Sequence, residues 1–479
     1  MLRCIIGFIF LTLVPSQVVA MEFEEARHLL NRTGFGASYS EIRKFQTLDY
    51  ETAVDNLLAG VSPVVVTPAP VWIKTPITGR SGKKDSLSQK EKRDRRKIVR
   101  ERAVDLKAWW YREMIDSPSQ LNEKMTLFWH NHFTSSFKKV KSPYALYHQN
   151  QLLRRNATGN FADLLHQIAK DPAMILYLDT QTNLKKSPNE NFTRELLELF
   201  TLGEGHYTED DIKEGARAFT GWSVDRKTGQ FRLRQKQHDG GSKRFMGHKG
   251  NFDGDEIIDI LLKDHRTAEN VTRKLWKEFV SGTPDPALVR KFARQFKDSG
   301  YELKPLLKAL FLSMAFRDPS ERGALIRSPV ELTVGTIRTL EIPIVETRPL
   351  VHYGRVLGQD IFDPPNVKGW VGGTVWIDTN TLLLRQTVLT DILHGSVLQE
   401  KAGSNDELMK KMRRSMMSRI PETAYGEAMA SMASFGPAPD ANLALKTLLP
   451  VAPVEPMEEW TIDSSSIRRI LMDPAYNLK

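Results

Sequence analysis

Residues 189–203 read NENFTRELLELFTLG, and this stretch has the apolar spacing of an amphipathic helix. Its apolar residues recur at three- and four-residue intervals, and Gly203 suits the left-handed conformation that often terminates a helix. The same spacing recurs through most of the chain, whereas alternating, strand-like runs are scarce. The sequence therefore predicts an all-α fold, a large multi-helical domain with irregular Gly/Pro-rich loops and little or no sheet.

Other helices are predicted from the same spacing and from their start signals. Ser119 begins a helix that runs through Phe133, and Thr208 with Asp211 forms a capping box for the segment ending near Gly221. The remaining predicted helices cover approximately Ala268–Val280, Pro286–Lys297, Leu303–Met314, Ser328–Leu340, Asn380–Leu393 and Glu407–Ser418. Irregular stretches are predicted at Ser223–Asp255 and Gly358–Trp376.

The composition is that of a globular protein. The chain has 479 residues, of which 41% are hydrophobic and 26% charged. This length allows one large domain or two to three ordinary ones, and the composition excludes disordered, collagen-like and disulfide-stapled classes.

Residues 1–20 have the three-part layout of a secretory signal peptide. A cationic start precedes the apolar run Cys4–Val14, and small residues end at Ala20, where cleavage is expected. We therefore expect a periplasmic or secreted protein without a transmembrane segment after cleavage. Because Cys4 is the only cysteine, the mature chain can form no disulfide, thiolate metal site or c-type haem attachment.

The remaining chain is predicted to have three parts. Residues 21–61 form the N-terminal helices of the main domain, 62–107 a Pro-containing linker with a basic helical insert, and 108–479 the rest of the main helical domain. Arg80–Lys107 holds twelve basic and five acidic residues. This segment could contact an anionic surface, but the interspersed acids favour a solvated, salt-bridged helix. Nucleic acid is not an expected partner, because the segment lacks interleaved aromatic residues.

Glu195 is the unusual residue of the stretch 189–203. At about 100° per residue it falls inside the apolar arc of the helix, whereas Arg194 and Glu198 lie on the polar side and are predicted to pair. A carboxylate that faces a core has a raised pKa. Two interpretations remain open: a general acid/base or metal ligand, or a structural carboxylate bound by an arginine or by loop amides.

Two histidines of the helix Ser119–Phe133 are further candidates. His132 falls in the middle of its apolar stripe and His130 on the opposite face, so a regular helix cannot bring both to one ion. His132 is either a satisfied core residue or the partner of Glu195, whose carboxylate would then orient the imidazole.

Two loops contribute the other candidates. His238-Asp239-Gly240-Gly241 allows close approach of a ligand to the backbone, although a plain turn is the alternative. Asn366 and Trp370 lie in a rigid loop that could stack a sugar or aromatic ring, unless Trp370 is a plug that seals the core. The predicted catalytic residues are Glu195, His132, His238 and Asp239. The predicted ligand-binding residues are His130, Asn131, Glu190, Asn191, Arg194, Lys243, Asn366 and Trp370.

Several familiar catalytic motifs are missing from the sequence. It has no G-x-S-x-G, H-E-x-x-H, P-loop or dinucleotide fingerprint. The cofactor is therefore unknown, with a divalent metal held by oxygen and nitrogen ligands as one option.

A series of short motifs runs through nearly the whole mature chain. They are HLLNRTGFG at 28–36, FWHNHF at 128–133, DPAM at 171–174, the stretch 189–203, ARAFTGW at 216–222, His238-Asp239 ahead of Lys243, SPVEL at 328–332, Gly358-Gln359, PPNVKGW at 364–370 and DPAY at 473–476. Their combination resembles a bacterial exported family catalogued as domain of unknown function 1800. The resemblance implies export, and a co-exported partner from the family catalogued as domain of unknown function 1501, which is phosphatase- or sulfatase-like in sequence. It implies no settled activity, and Arg80–Lys107 lies outside the shared pattern.

Two functions are consistent with these observations. The first is an exported enzyme with a buried His/Glu site, hydrolytic or metal-assisted, acting on an envelope or extracellular substrate. The second is a non-catalytic envelope binding or assembly protein that acts with a co-exported partner. The number of ionisable residues in apolar contexts favours the enzyme, while the reaction, the substrate and the oligomeric state are left open.

Overall fold

The computed structural model describes residues 20–75, 88–225, 228–393, 441–454 and 464–479. Residues 1–19 of the predicted signal peptide and the predicted helix Glu407–Ser418 lie outside these ranges. Among the described residues, no helix combines the length and the apolar character that crossing a bilayer requires.

The described residues form twenty-one α-helices and two short hairpins, so the predicted all-α class is confirmed. The helices are α1 Phe23–Thr33, α2 Tyr39–Gln46, α3 Tyr50–Ala59, α4 Gln89–Asp116, α5 Gln120–His132, α6 Phe137–Val140, α7 Pro143–Arg155, α8 Phe161–Ala169, α9 Pro172–Tyr177, α10 Asn191–Glu195, α11 Glu209–Ala218, α12 Gly254–Lys263, α13 His265–Phe279, α14 Pro286–Asp298, α15 Leu303–Leu312, α16 Met314–Arg317, α17 Pro329–Thr339, α18 Arg348–Val356, α19 Thr379–Leu393, α20 Ala441–Leu448 and α21 Ser464–Met472. Strand β1 (Trp222–Val224) pairs antiparallel with β2 (Phe231–Leu233), and β3 (Lys243–Phe245) pairs antiparallel with β4 (His248–Gly250). Both hairpins fall in the stretch Ser223–Asp255 or at its border, where an irregular segment was expected.

The starts of several helices follow the sequence signals. The predicted capping box of α11 is confirmed, since the Asp211 amide donates to Thr208 Oγ1 and the Thr208 amide donates to the Asp211 carboxylate. Helix α5 begins directly after Ser119, as predicted. These local signals determine where the helices begin, but they do not determine how the helices pack.

Helix α4 has two halves of different character. Its first half carries the exposed charges of the basic segment, whereas Trp109, Trp110 and Tyr111 in its second half are buried in the core. The Pro-containing segment that precedes it packs along the buried half, because the amides of Val66 and Thr67 donate to the Glu113 carboxylate. One continuous helix therefore crosses the predicted boundary between residues 107 and 108.

Helix α5 lies inside the core. From Leu121 to His130 every residue except Phe128 is buried, including the fully buried Met125 and Trp129. A helix that is enclosed on all sides must find partners for each of its polar side chains. The motif FWHNHF therefore places two histidines and an asparagine where hydrogen bonds to other segments are needed.

The stretch 189–203 departs from the regular helix that was predicted. Helix α10 ends at Glu195, and Leu196–Phe200 continue as a π-helix, with a wider turn than an α-helix. Side-chain donors bind its carbonyls, since Thr201 Oγ1 donates to Leu196 O at 2.6 Å and Lys274 Nζ to Leu199 O at 2.7 Å. The side chains after Glu195 are therefore rotated away from the angles that a regular helix gives them.

This rotation explains why the predicted Arg194–Glu198 pair is wrong. Arg194 instead forms ion pairs with Glu190 at 3.2 Å and with Glu209 at 2.9 Å. Glu198 accepts a hydrogen bond from Tyr207 Oη at 2.9 Å.

Candidate functional site

Glu195 lies at the junction between α10 and the π-helical segment. Its side chain is half-buried, and burial is the main cause that raises its pKa above the ordinary value of 4.5. Glu198 raises this pKa further, while Lys368 and Arg194 oppose the shift. Within the described ranges, the Glu195 carboxylate accepts no hydrogen bond and forms no ion pair. It is therefore a partly desolvated carboxylate without a hydrogen-bond or ion-pair partner among the described residues.

Tyr177, at the end of α9, lies close enough to Glu195 to be affected by its charge. Burial raises the pKa of the Tyr177 phenol, and the negative charges of Glu195 and Asp363 raise it further. The phenol is therefore a neutral hydrogen-bond donor at physiological pH. Asp363 itself is held by a hydrogen bond from Ser136 Oγ and by Lys138 Nζ at 3.3 Å.

Lys368 provides the positive charge near Glu195. Its Nζ lies 2.8 Å from Glu204 and 3.6 Å from Glu198, and it is exposed. Glu198 is thus held by Tyr207 and Lys368, whereas its neighbour Glu195 in the same turn is not held. We call Glu195, Tyr177, Asp363 and Lys368 the Glu195 cluster.

The backbone around this cluster contains left-handed residues that are not glycine. Asp179 (φ 58°) and Phe362 (φ 61°) adopt this conformation directly beside the cluster, and Lys141 (φ 55°) follows Lys139, which pairs with Asp179 at 2.7 Å. Such a conformation costs about 1–2 kcal/mol for an L-residue with a side chain. Backbone strain of this kind tends to concentrate at binding and catalytic sites.

His130 holds one of these strained residues. Its Nε2 accepts the Phe362 amide proton at 3.0 Å, and its ring lies edge-on to Trp110. Burial lowers the pKa of His130 to about 3, so the ring is neutral and carries its proton on Nδ1.

Asn131 holds the same loop eight residues further along the chain. Its amide donates to Trp370 O at 3.2 Å, and its Oδ1 accepts the Trp370 amide proton at 2.7 Å. Gly369 (φ 77°) must be glycine here, because a Cβ atom would lie 2.2 Å from Asn131 Oδ1. Trp370 is buried against His130, as the core-plug interpretation expects, whereas Asn366 is exposed and accepts from the Lys368 amide at 2.9 Å.

The sequence left open that His132 contacts Glu195, but the structure shows His132 bound elsewhere. Its Nδ1 accepts from Lys274 Nζ at 3.1 Å, and the same ammonium group donates to Leu199 O in the π-helical segment. Burial lowers the pKa of Lys274 to about 8 and moves that of His132 well below its ordinary value. His132 therefore supports the segment that follows Glu195 rather than the carboxylate itself.

The three polar residues of FWHNHF thus hold three different segments. His130 binds Phe362, Asn131 binds Trp370, and His132 reaches Leu199 through Lys274. The first two bonds fix the loop that carries Asp363 and Lys368, and the third supports the π-helical segment. All three residues position parts of the Glu195 cluster without belonging to it.

The loop at His238 forms a separate arrangement beside α11. His238 Nδ1 donates to Thr220 O at 3.0 Å, and Asp239 pairs with Arg217 at 2.8 Å, which lowers the pKa of Asp239 to about 2. Lys243 is buried and donates to Asp239 O at 2.7 Å and to Gly241 O at 3.1 Å. These contacts stabilise the loop, and none of them involves Glu195.

The candidates at the start of α10 lie at the surface. Asn191 is exposed, and Glu190 and Arg194 are partly exposed and paired with each other. Four residues of the Glu195 cluster and its supports were missed by the sequence reasoning: Tyr177, Asp363, Lys368 and Lys274. Lys368 lies within PPNVKGW and Asp363 directly before it, so those motif positions were a usable signal, whereas nothing in the sequence marks Lys274.

No group of three or more His, Cys, Asp or Glu side chains in the described part of the chain is arranged to hold a metal ion. The divalent metal that the sequence leaves open as an option therefore has no assembled ligand set among these residues.

Comparison with known proteins identifies one family. The family model described as protein of unknown function (DUF1800) matches residues 28–478. No curated protein and no solved structure matches the chain.

Proposed function

This chain belongs to the family described as protein of unknown function (DUF1800), and from that premise we propose that it is an exported enzyme with Glu195 as its general acid/base. The proposed reaction is hydrolysis of an envelope or extracellular substrate. Export rests on the signal-peptide pattern of residues 1–20.

The observation that carries this proposal is the unpaired state of Glu195. A carboxyl group whose pKa is raised by burial holds its proton closer to neutral pH, as a general acid requires. Because no other side chain of the described residues occupies its hydrogen-bonding capacity, the group is free to exchange a proton with a substrate.

The neighbours of Glu195 suit the same chemistry. The neutral Tyr177 phenol can donate a hydrogen bond to a developing oxyanion, and the exposed Lys368 ammonium can favour negative charge. Glu195 would give its proton to the leaving group and then take one from the attacking water.

The test is an activity screen of the mature protein with a Glu195→Gln variant. The substrates are chromogenic glycosides, esters, amides and phosphate esters, together with isolated envelope polymers whose products are identified by mass spectrometry. We expect Glu195→Gln to lower kcat by about 10²–10⁴-fold, because the amide cannot transfer a proton. Glu209→Gln is the matched control, since this exposed carboxylate lies near α10 and pairs with Arg194. Full activity in Glu195→Gln would contradict the proposal.

A second function is favoured by the first half of α4. Arg93, Arg96 and Lys97 are exposed there. This surface suits binding or assembly with a co-exported, phosphatase- or sulfatase-like partner of opposite charge. Neutralising Arg93, Arg95 and Arg96 should then abolish co-purification with that partner, whereas a His132/Glu195 double variant should retain it.

A further inference from the structure

A depression of about 250 Å³ lies between α13 and α14, and none of its residues belongs to the Glu195 cluster. Glu269, Arg273 and Lys277 form the wall contributed by α13. Arg290 of α14 lies on the other wall, and Val289 is buried beneath it. The depression is therefore lined by three cations and one carboxylate over an apolar floor.

The three cations have no counter-ions in the described chain. Arg273, Lys277 and Arg290 are exposed, and none of them lies within ion-pair distance of a described carboxylate. Glu269 is directed to His265, with 4.0 Å between Glu269 Oε1 and His265 Nε2. Elsewhere on α13 a cation is paired, since Arg266 binds Asp264. The depression therefore keeps an excess of positive charge.

The arrangement of these cations lowers the stability of the folded chain unless an anion binds between them. Arg273 and Lys277 are four residues apart and so lie on the same face of α13, where like charges repel. Arg290 approaches from a second helix and adds a third charge to the same space. Converging cations of this kind raise the local positive potential and attract anions.

We propose that this depression binds the phosphate group of a phosphate ester. Two guanidinium groups can each donate paired hydrogen bonds to phosphate oxygens, and Lys277 adds a point charge. The volume holds roughly eight waters at about 30 Å³ each, which leaves room for the organic group beside the phosphate. Pro286 and Val289 provide apolar contact for that group.

The experiment is titration calorimetry with glycerol 1-phosphate at constant ionic strength, with inorganic phosphate and acetate as further ligands. Arg273→Gln with Arg290→Gln should weaken binding of glycerol 1-phosphate about tenfold or more, because charged hydrogen bonds are lost. The matched control is Lys291→Gln with Arg294→Gln, which removes two exposed cations of α14 that do not line the depression. This control should change the affinity by less than about twofold, since exposed charges at a distance are screened.

Glu269→Gln should change the affinity for the phosphate ester in the opposite direction. Removal of the one carboxylate of the depression should tighten binding of the phosphate ester, whereas a variant that merely disturbed folding would weaken it. Equal losses in both double variants, acetate binding as tight as that of the phosphate ester, or no saturable binding of any phosphate compound would each overturn the proposal.

A last arm of the experiment separates the sources of the phosphate. Vesicles of phosphatidylglycerol are compared with soluble glycerol 1-phosphate in the same variants. Binding of the soluble ester with none to vesicles identifies a free phosphate ester, and vesicle binding that depends on Arg273 and Arg290 identifies a lipid headgroup. Either result supports recognition of phosphate at this site.

Discussion

Two acidic regions of the molecule are treated in opposite ways. Near the start of α5, the fully buried Glu113 and Glu123 both lie within ion-pair distance of the buried Arg154, and Trp110 Nε1 also donates to Glu123. Glu195 is also removed from part of its water, yet no described side chain forms a hydrogen bond or an ion pair with it. The interior of this protein pairs its carboxylates where packing requires it, so the isolation of Glu195 is not a general property of the fold.

The difference between these carboxylates distinguishes a structural role from a functional one. Buried charges remain stable only when partners and hydrogen bonds replace water. A carboxylate left without them lowers stability, and natural chains tolerate such sites mainly where activity needs them. This contrast supports the proposed role of Glu195. It can be tested by substitutions at the paired carboxylates and at Glu195.

The largest effect on stability is expected where buried carboxylates pair with Arg154. Glu123→Gln removes a negative charge beside the buried Arg154 and should lower the free energy of unfolding by about 3–5 kcal/mol. Urea denaturation followed by circular dichroism measures this loss. A change within about 0.5 kcal/mol, typical of surface substitutions, would remove the contrast between the two regions.

A smaller effect is expected at the link between His132 and the π-helical segment. Lys274→Met removes the donor to His132 Nδ1 and Leu199 O and should lower the free energy of unfolding by about 1–3 kcal/mol. The exposed Lys277→Met on the same helix should change it by less than about 0.5 kcal/mol. If the proposed function is correct, Lys274→Met should also lower kcat, because the segment that follows Glu195 loses its support. Equal stability of the two variants would show that this link does not support the segment.

The smallest effect is expected for Glu195→Gln and depends on pH. Because the folded chain has the higher Glu195 pKa, it binds this proton more readily than the unfolded chain, so its stability falls as the pH rises through the folded pKa. The glutamine variant does not titrate, so its Tm should match that of the natural chain near pH 4 and exceed it at pH 7. Thermal unfolding at both pH values measures this, and a large loss of Tm in the variant at pH 7 would identify Glu195 as a structural carboxylate.

Local sequence signals predicted several of the helices that lie in the described ranges. The capping box at Thr208 and the proline at the start of α14 mark the ends of elements by bonds within one turn, which the sequence contains in full. The π-helical segment was missed, because its carbonyls are bound by Thr201 and by the remote Lys274. The error in the Arg194 pairing followed from that omission.

The candidate site was predicted only in part. Glu195 was identified by its place in an apolar arc, and His130, Asn131 and His132 by their place on α5. Their partners come from distant parts of the chain, and spacing along one helix contains no information about them.

The sequence by itself determined the helical class, several helix starts and the unusual position of Glu195, because these depend on residues within a few turns of one another. Only the tertiary structure decided that Lys274 bonds to both His132 and Leu199, that Tyr177 lies in the field of both Glu195 and Asp363, and that three cations line one depression between α13 and α14. Those contacts depend on how separate helices pack, and the packing is set by the shape and burial of the whole core.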